Sequence, residues 1–178
     1  GGSILGTKAI YNFLEKKIKK KFYFFDDLDE EKILNFKKKE NLSKVLFLII
    51  SKSGNTLETI VNTNLYLKKK DKNIFLTENK NNYLYLLAQK LKSEIVHHNN
   101  FIGGRYSVLS EVGMLPAELM GLNPKRFRQL NNLIKNKKFV NSLLTNVSNT
   151  LDLLKKGRFT SVILNYDESS NNFFKWYQ

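Results

Sequence analysis

The apolar run Val45-Leu46-Phe47-Leu48-Ile49-Ile50 passes directly into Ser51-Lys52-Ser53-Gly54-Asn55-Thr56-Leu57-Glu58-Thr59, and no other junction of the chain limits its fold so strongly. An apolar run of this length with no polar alternation reads as a strand buried on both faces, the kind found in parallel sheets covered by helices. In open sheets of that type, ligands gather at the carboxyl ends of the strands. The hydroxyls of Ser51, Ser53 and Thr56 therefore fall at a binding edge. Gly54 permits a tight turn, and Thr56 with Glu58 and Thr59 opens a helix whose free amides favour an anion. A small phosphate is the ligand that this combination fits.

The remaining pattern agrees with such a sheet. Gly1-Gly2-Ser3-Ile4-Leu5-Gly6 is a glycine-rich turn leading into a helix with Ile10, Phe13, Leu14 and Ile18 on one face. A phosphate-type loop ordinarily follows a strand, so the expectation is a domain cut at its amino end. A short strand is expected over 22–25, then a helix to about Lys39 with Asp and Glu in its first turn. After the strand over 45–50 come a helix over about 56–67, a strand over 73–77, a helix over 83–91 and a strand over 94–97. This alternation predicts an α/β fold, a doubly wound parallel sheet flanked by helices. Beyond Gly103-Gly104-Arg105 a mainly helical extension covers about 107–156, in helices over 107–120, 124–136 and 139–155. A last strand is expected over 158–165 and a helix from Ser169. No repeat or linker divides the 178 residues, so a single domain burying about 70% of its extended surface is expected.

Composition narrows the function classes. The chain is 42% hydrophobic, yet no apolar run approaches the ~18 residues of a membrane span, so no membrane partner is expected. The absence of cysteine excludes disulfides and thiolate metal sites, and with no apolar leader at the start a cytoplasmic location is expected. A formal charge of +14 raises the question of nucleic acid. Lysine is spread through the whole chain, however, and its runs at 16–17, 19–21, 37–39 and 68–70 sit at expected helix ends, where cations suit the dipole and stay solvated. No nucleic-acid partner is expected.

Parallel strands bring their carboxyl ends to one edge, so the loops at Gly1-Gly2-Ser3, 51–56 and Gly103-Gly104-Arg105 are expected to converge. Two glycines allow close backbone approach to a ligand, and Arg105 adds a fixed cationic fork suited to an oxyanion. The only histidines, His97 and His98, are neighbours on a strand and point to opposite faces, which argues for structural roles rather than a shared metal. Glu111 and Glu118 share a helix face that reads as solvated or Arg-paired. Phe173, Phe174, Trp176 and Tyr177 read as a core-packing helix face.

These stretches also carry a family resemblance. The segment 51–59 resembles the sugar-phosphate loop of sugar isomerase (SIS) domains, and Gly103-Gly104-Arg105-Tyr106-Ser107-Val108-Leu109-Ser110-Glu111-Val112-Gly113-Met114-Leu115-Pro116 resembles the signature of the glucose-6-phosphate isomerase family. Gly1-Gly2-Ser3-Ile4-Leu5-Gly6 is similar to the end of that family's glycine-rich loop. The motifs stand in the family's order and cover essentially the whole chain. The resemblance implies a flavodoxin-like three-layer SIS domain that interconverts glucose 6-phosphate and fructose 6-phosphate through an enediolate, without metal or organic cofactor, in an enzyme that is a homodimer at full length. It places the sugar phosphate on Ser51, Ser53 and Thr56, with the backbone of Lys52 and Ser3 close by. Gly104 would leave room for the sugar, and Arg105, the catalytic residue carried over, would face the enediolate oxygen.

In the family, a stretch like Trp176-Tyr177-Gln178 precedes the segment with the catalytic Glu, and the ring-opening His and a late Lys come further on. Residues 1–178 are therefore expected to be the first SIS domain of a longer enzyme, truncated at both ends, able to bind substrate and unable to turn it over. Two relatives of this reading are a non-catalytic SIS sensor, which needs the 51–56 loop but not Gly104-Arg105, and a bifunctional glucose/mannose-6-phosphate isomerase.

Overall fold

A computed structural model describes residues 1–178. Its main elements are α1 (Ser3–Phe13), α2 (Glu30–Lys39), β1 (Leu46–Ile50), α3 (Leu57–Tyr66), β2 (Lys72–Glu78), α4 (Tyr83–Leu91), β3 (Glu94–His98), α5 (Glu111–Leu119), α6 (Pro124–Phe127), α7 (Asn131–Ile134), α8 (Lys137–Lys155) and α9 (Asn171–Tyr177). The strands form one three-stranded parallel sheet in the order β1-β2-β3. Leu46 stands opposite Lys72 and Ile74 opposite Glu94, so the carboxyl ends of β1, β2 and β3 lie at one edge. Parallel neighbours need a crossover, which α3 supplies between β1 and β2 and α4 between β2 and β3.

Phe75 and Leu76 are adjacent in β2, hence on opposite faces, and both are fully buried. Both faces of the sheet are therefore covered, as the doubly wound reading requires. Ile49 and Phe75 pack against Leu84 and Ala88 of α4, each large side chain contributing about 1.5–3 kcal/mol by leaving water. A second cluster joins Ile33 and Phe36 of α2 to Tyr66 of α3. A third unites Ile10 of α1 with Met114, Ala117 and Met120 at α5.

Several expected elements differ. The 22–25 segment pairs with no strand, and it lines, with β1, a cavity of about 850 Å³. Its side chains still alternate as in a strand, Phe22 and Phe24 packing on the α1–α5 cluster and Phe25 on the α2–α3 cluster. What it lacks is a neighbour to complete a ladder. The 158–165 segment is irregular, with Phe159, Val162 and Leu164 more than 70% exposed; no strand of the chain lies beside it. The first helix stops at Phe13, and Ile18 reaches its cluster from extended backbone. The helix expected over 107–120 is a 3-10 turn (Gly104–Leu109) followed by α5, because the Ser110 side chain caps Val112 and restarts the helix. The helix expected over 124–136 is interrupted by a 3-10 turn at Arg128–Leu130 between α6 and α7. No helix is long and apolar enough to cross a membrane.

Candidate functional site

The loop after β1 is held firmly from the side of β2 and α4. Ser51 N donates to Leu76 O at 3.0 Å and Glu78 N to Lys52 O at 3.1 Å, which carries the ladder past the end of β1. The Thr77 hydroxyl also donates to Lys52 O, at 3.3 Å. Gly54 takes a φ of +64°, and a Cβ there would stand 1.7 Å from Asn82 Oδ1, so only glycine fits this turn. Asn82 in turn caps α4 through Tyr85 N at 2.9 Å, and Asn55 Oδ1 accepts from Tyr83 N at 3.0 Å.

Thr56 occupies the N-cap position of α3 but does not cap it. Its hydroxyl turns instead to the Ser51 hydroxyl, 2.9 Å away. No protein acceptor meets the amides of Leu57, Glu58 and Thr59, whereas Ile60 N already bonds to Thr56 O. Helix α1 likewise starts at Gly2 with no side-chain cap. By contrast, α2, α4, α5, α6 and α8 are capped by Asp29, Asn82, Ser110, Asn123 and Asn136. The short α7 and α9 are also uncapped, and in α1 Ile4 N and Leu5 N bond to Gly1 O and Gly2 O, so of the two helices that begin at the cavity it is α3 that presents a run of open amides and the positive end of its dipole.

The three loops do converge. A Cβ on Gly1 would lie 3.7 Å from Thr56 Cγ2, one on Gly2 2.8 Å from Arg105 Cγ, and one on Gly104 2.9 Å from Ser3 Oγ. Ser3, Ser51, Lys52, Ser53, Thr56 and Gly104 all line the cavity. Ser51 is buried, while Ser53 Oγ accepts from Asn55 N at 3.3 Å and shapes the turn. The Lys52 ammonium is engaged by Glu78 Oε1 at 3.4 Å and its carbonyl by Glu78 N and the Thr77 hydroxyl, so of its polar groups only the amide is without a protein partner.

Arg105 stands at the rim rather than in the lining and is exposed. The ion pairs of the chain are Lys8–Asp26, Lys21–Glu40, Lys32–Asp27, Lys52–Glu78, Lys80–Glu78 and His98–Glu111, and Arg105 is in none of them. Its backbone carbonyl accepts from Trp176 Nε1 at 2.5 Å, so α9 braces the loop that bears it. The aromatic face of α9 is only partly buried; Phe173 sits 6.2 Å from Phe13 of α1.

Three side chains that shape this edge, Glu78, Glu111 and Asn82, were not among the expected site residues. Burial works to raise the Glu78 carboxyl, but Lys80 and Lys52 outweigh it and hold it below the ordinary 4.5. Glu111 is half-buried and paired with His98 rather than with an Arg: Oε1 accepts from His98 Nδ1 at 2.7 Å and from Asn99 N at 3.2 Å. Burial again works upward there, and the hydrogen bonds from backbone and His98 bring the carboxyl below its ordinary value. Asn82 carried a usable signal, since Asn before an apolar helical run is a cap signature. His97 and His98 diverge as expected, His98 buried and His97 exposed, its ring 6.3 Å from Tyr85.

The fold and these loops define a class: an α/β protein that gathers glycines, hydroxyls and uncapped helix ends at the carboxyl edge of a parallel sheet. Within that class the chain belongs to the phosphoglucose isomerase family, whose model matches residues 1–178. It is 36% identical, over 191 aligned residues, to the glucose-6-phosphate isomerase of Methanocaldococcus jannaschii, with 100% of this chain and 47% of that protein covered. The corresponding enzyme of Acholeplasma laidlawii is 29% identical over 202 residues, with 100% of this chain and 47% of that protein covered. Among solved structures, a hypothetical protein from Thermus thermophilus superposes with a TM-score of 0.69 at 25% identity, over 83% of this chain and 40% of its own. The chain spans about half the length of these curated relatives.

Proposed function

We propose that this chain is the sugar-phosphate-binding first SIS domain of a glucose-6-phosphate isomerase, an enzyme that interconverts glucose 6-phosphate and fructose 6-phosphate in glycolysis and gluconeogenesis. The observation that carries this reading is the contact of the three loops, Gly1 with Thr56, Gly2 with Arg105 and Gly104 with Ser3, around one cavity. The phosphate dianion sits on the Ser51, Ser53 and Thr56 hydroxyls and the open amides of α3, while the backbone of Lys52 and Ser3 flanks it. Arg105 is the catalytic group of this half: its unpaired guanidinium stabilises the oxygen on which enediolate charge develops, with Gly104 keeping space for the sugar.

Moving a proton between neighbouring carbons also needs a carboxylate base. Of the carboxylates that line the cavity, Asp26 and Glu40 are tied to Lys8 and Tyr23, while Glu58 stands in the first turn of α3 beside the amides assigned to the phosphate. The base and the groups that open the sugar ring belong, on this reading, to the later segments of a full-length enzyme, a cytoplasmic homodimer, and residues 1–178 alone bind without turnover.

A thermal-shift titration with fructose 6-phosphate, inorganic phosphate and a short DNA duplex tests the reading. Saturable stabilisation by the sugar phosphate, lost in Ser51→Ala and reduced in Arg105→Ala, is expected. Stabilisation by DNA alone, or isomerase turnover by this chain, overturns it.

A further inference from the structure

The loop that presents Gly104 and Arg105 is tied at its base by a pair thirteen positions apart in sequence, His98 at the end of β3 and Glu111 at the start of α5. The His98 side chain is fully buried, and both ring nitrogens have partners: Nδ1 meets Glu111 Oε1 at 2.7 Å and Nε2 meets Ile102 O at 3.1 Å. A backbone carbonyl only accepts. A carboxylate also only accepts, and Glu111 is kept in that form by the Asn99 amide on the same oxygen and by its place in the first turn of α5. Satisfying both contacts therefore takes a proton on each ring nitrogen. The other charged group beside His98 is Glu78, its partner in the β2–β3 ladder, which is itself paired with Lys52 and Lys80.

We propose that His98 is an imidazolium clamped to Glu111, and that this pair is the positioning device that sets Arg105 against the sugar end of the cavity. The geometry gives the clamp its reach. Ile102 is drawn to Nε2 and Asn99 to Glu111, so the turn entering Gly103 is fixed from both ring edges. Beyond it Tyr106 N bonds to Gly103 O at 2.9 Å and Ser107 Oγ to Gly104 O at 2.7 Å, which passes the placement to Arg105. The role assigned to Arg105 rests on the function proposed above; the clamp itself does not.

Three measurements on the 178-residue chain test it. In ¹⁵N NMR at pH 7, with His97→Gln used to assign the signals, His98 is expected to carry protons on both ring nitrogens; a single proton overturns the imidazolium. The sole tryptophan, Trp176, reports on the loop through its bond to Arg105 O. His98→Gln should move its emission to longer wavelength while Ser51→Ala leaves it in place, and unchanged emission in His98→Gln overturns the positioning role without any ligand. By calorimetry, His98→Gln and Glu111→Ala should each bind fructose 6-phosphate about tenfold more weakly, with the double variant no weaker than either, since a displacement near 1 Å is enough to misplace a positioned group. Inorganic phosphate, held by the 51–56 loop, the α3 amides and the Ser3 backbone and not by Arg105, should bind unchanged; equal loss of both ligands means general destabilisation and overturns the clamp. Failure of the wild-type chain to bind fructose 6-phosphate sinks the proposed function instead, and leaves the NMR and emission results to decide the clamp.

Discussion

Gly104 lies so close to Ser3 that a methyl group in place of its hydrogen would stand 2.9 Å from the Ser3 hydroxyl and 3.1 Å from the Ser3 amide nitrogen. The hydroxyl can rotate aside, but the amide belongs to the first turn of α1 and has to shift by a few tenths of an ångström. Gly104→Ala is therefore expected to cost about 1 kcal/mol of stability, at the low end of overpacking, and to weaken fructose 6-phosphate binding far more than it lowers the melting temperature. Thermal denaturation beside calorimetry checks this; loss of stability with unchanged affinity would show that the Ser3–Gly104 contact is mere packing.

Ser51→Ala removes more than a hydroxyl from the phosphate loop. With its partner gone, Thr56 Oγ1 is free to cap α3 and close an amide that an anion would use. Phosphate affinity should drop by tenfold or more, given about 1.5–3 kcal/mol for a hydrogen bond to a charged group, while the new cap offsets part of the cost to stability. Thr56→Ala, which cannot form the cap, separates the two effects: it should lower stability more than Ser51→Ala does. Equal melting temperatures for the two variants would contradict the capping argument.

Gly113 and Gly121 give opposite expectations for the same substitution. A Cβ on Gly113 would meet the Val108 carbonyl oxygen at 2.0 Å, backbone against backbone, because α5 and the 3-10 turn before it are pressed together. Gly121 has a φ of +85° and open space around it. Gly113→Ala should cost about 3 kcal/mol or more and displace the Arg105 loop, whereas Gly121→Ala should cost only the left-handed strain of about 1–2 kcal/mol. Urea denaturation of the two variants checks the order, and the order would reverse if the 3-10 turn could slide.

The sequence showed the sheet well because its strands declare themselves locally: 45–50, 73–77 and 94–97 are apolar runs stopped by turn residues, and each falls within one residue of β1, β2 or β3 at either end. The failures are of a different kind. The 22–25 and 158–165 stretches have strand-like residues, but a strand exists only beside another, and neither stretch has such a neighbour in this chain. Of the residues that the glycine, hydroxyl and arginine motifs singled out, Ser3, Ser51, Lys52, Ser53, Thr56 and Gly104 line one cavity and Arg105 does not. The pairing of His98 with Glu111 had no signal in the sequence. Its partners are brought together by a loop whose course depends on the tertiary fold, and Glu111 read as one of two acids on a solvated or Arg-paired helix face.

Acid should unfold the chain through identifiable groups, of which Asp26 is the most easily isolated. Burial works to raise its carboxyl, but Lys8 Nζ donates to both oxygens, at 2.8 and 2.7 Å, and brings it below the ordinary 3.8. A carboxyl depressed in the folded state stabilises the fold fully above its ordinary value, and that contribution fades as pH falls through the folded one. Glu78 and Glu111 act in the same direction from an ordinary 4.5, so stability should hold near neutrality and fall below about pH 5. In Lys8→Met the largest forces that lower Asp26 are lost, burial is opposed only by Lys32 and a backbone hydrogen bond, and the folded carboxyl rises, so Asp26 contributes less stability at neutral pH and less slope on acidification. Urea midpoints from pH 7 to pH 3 should therefore fall less steeply in Lys8→Met than in the wild type, from a lower starting value. Parallel profiles would mean that the Lys8–Asp26 bond contributes nothing to the linkage, and that the other depressed carboxyls, Glu78 and Glu111 with Glu40 and Asp167, carry it.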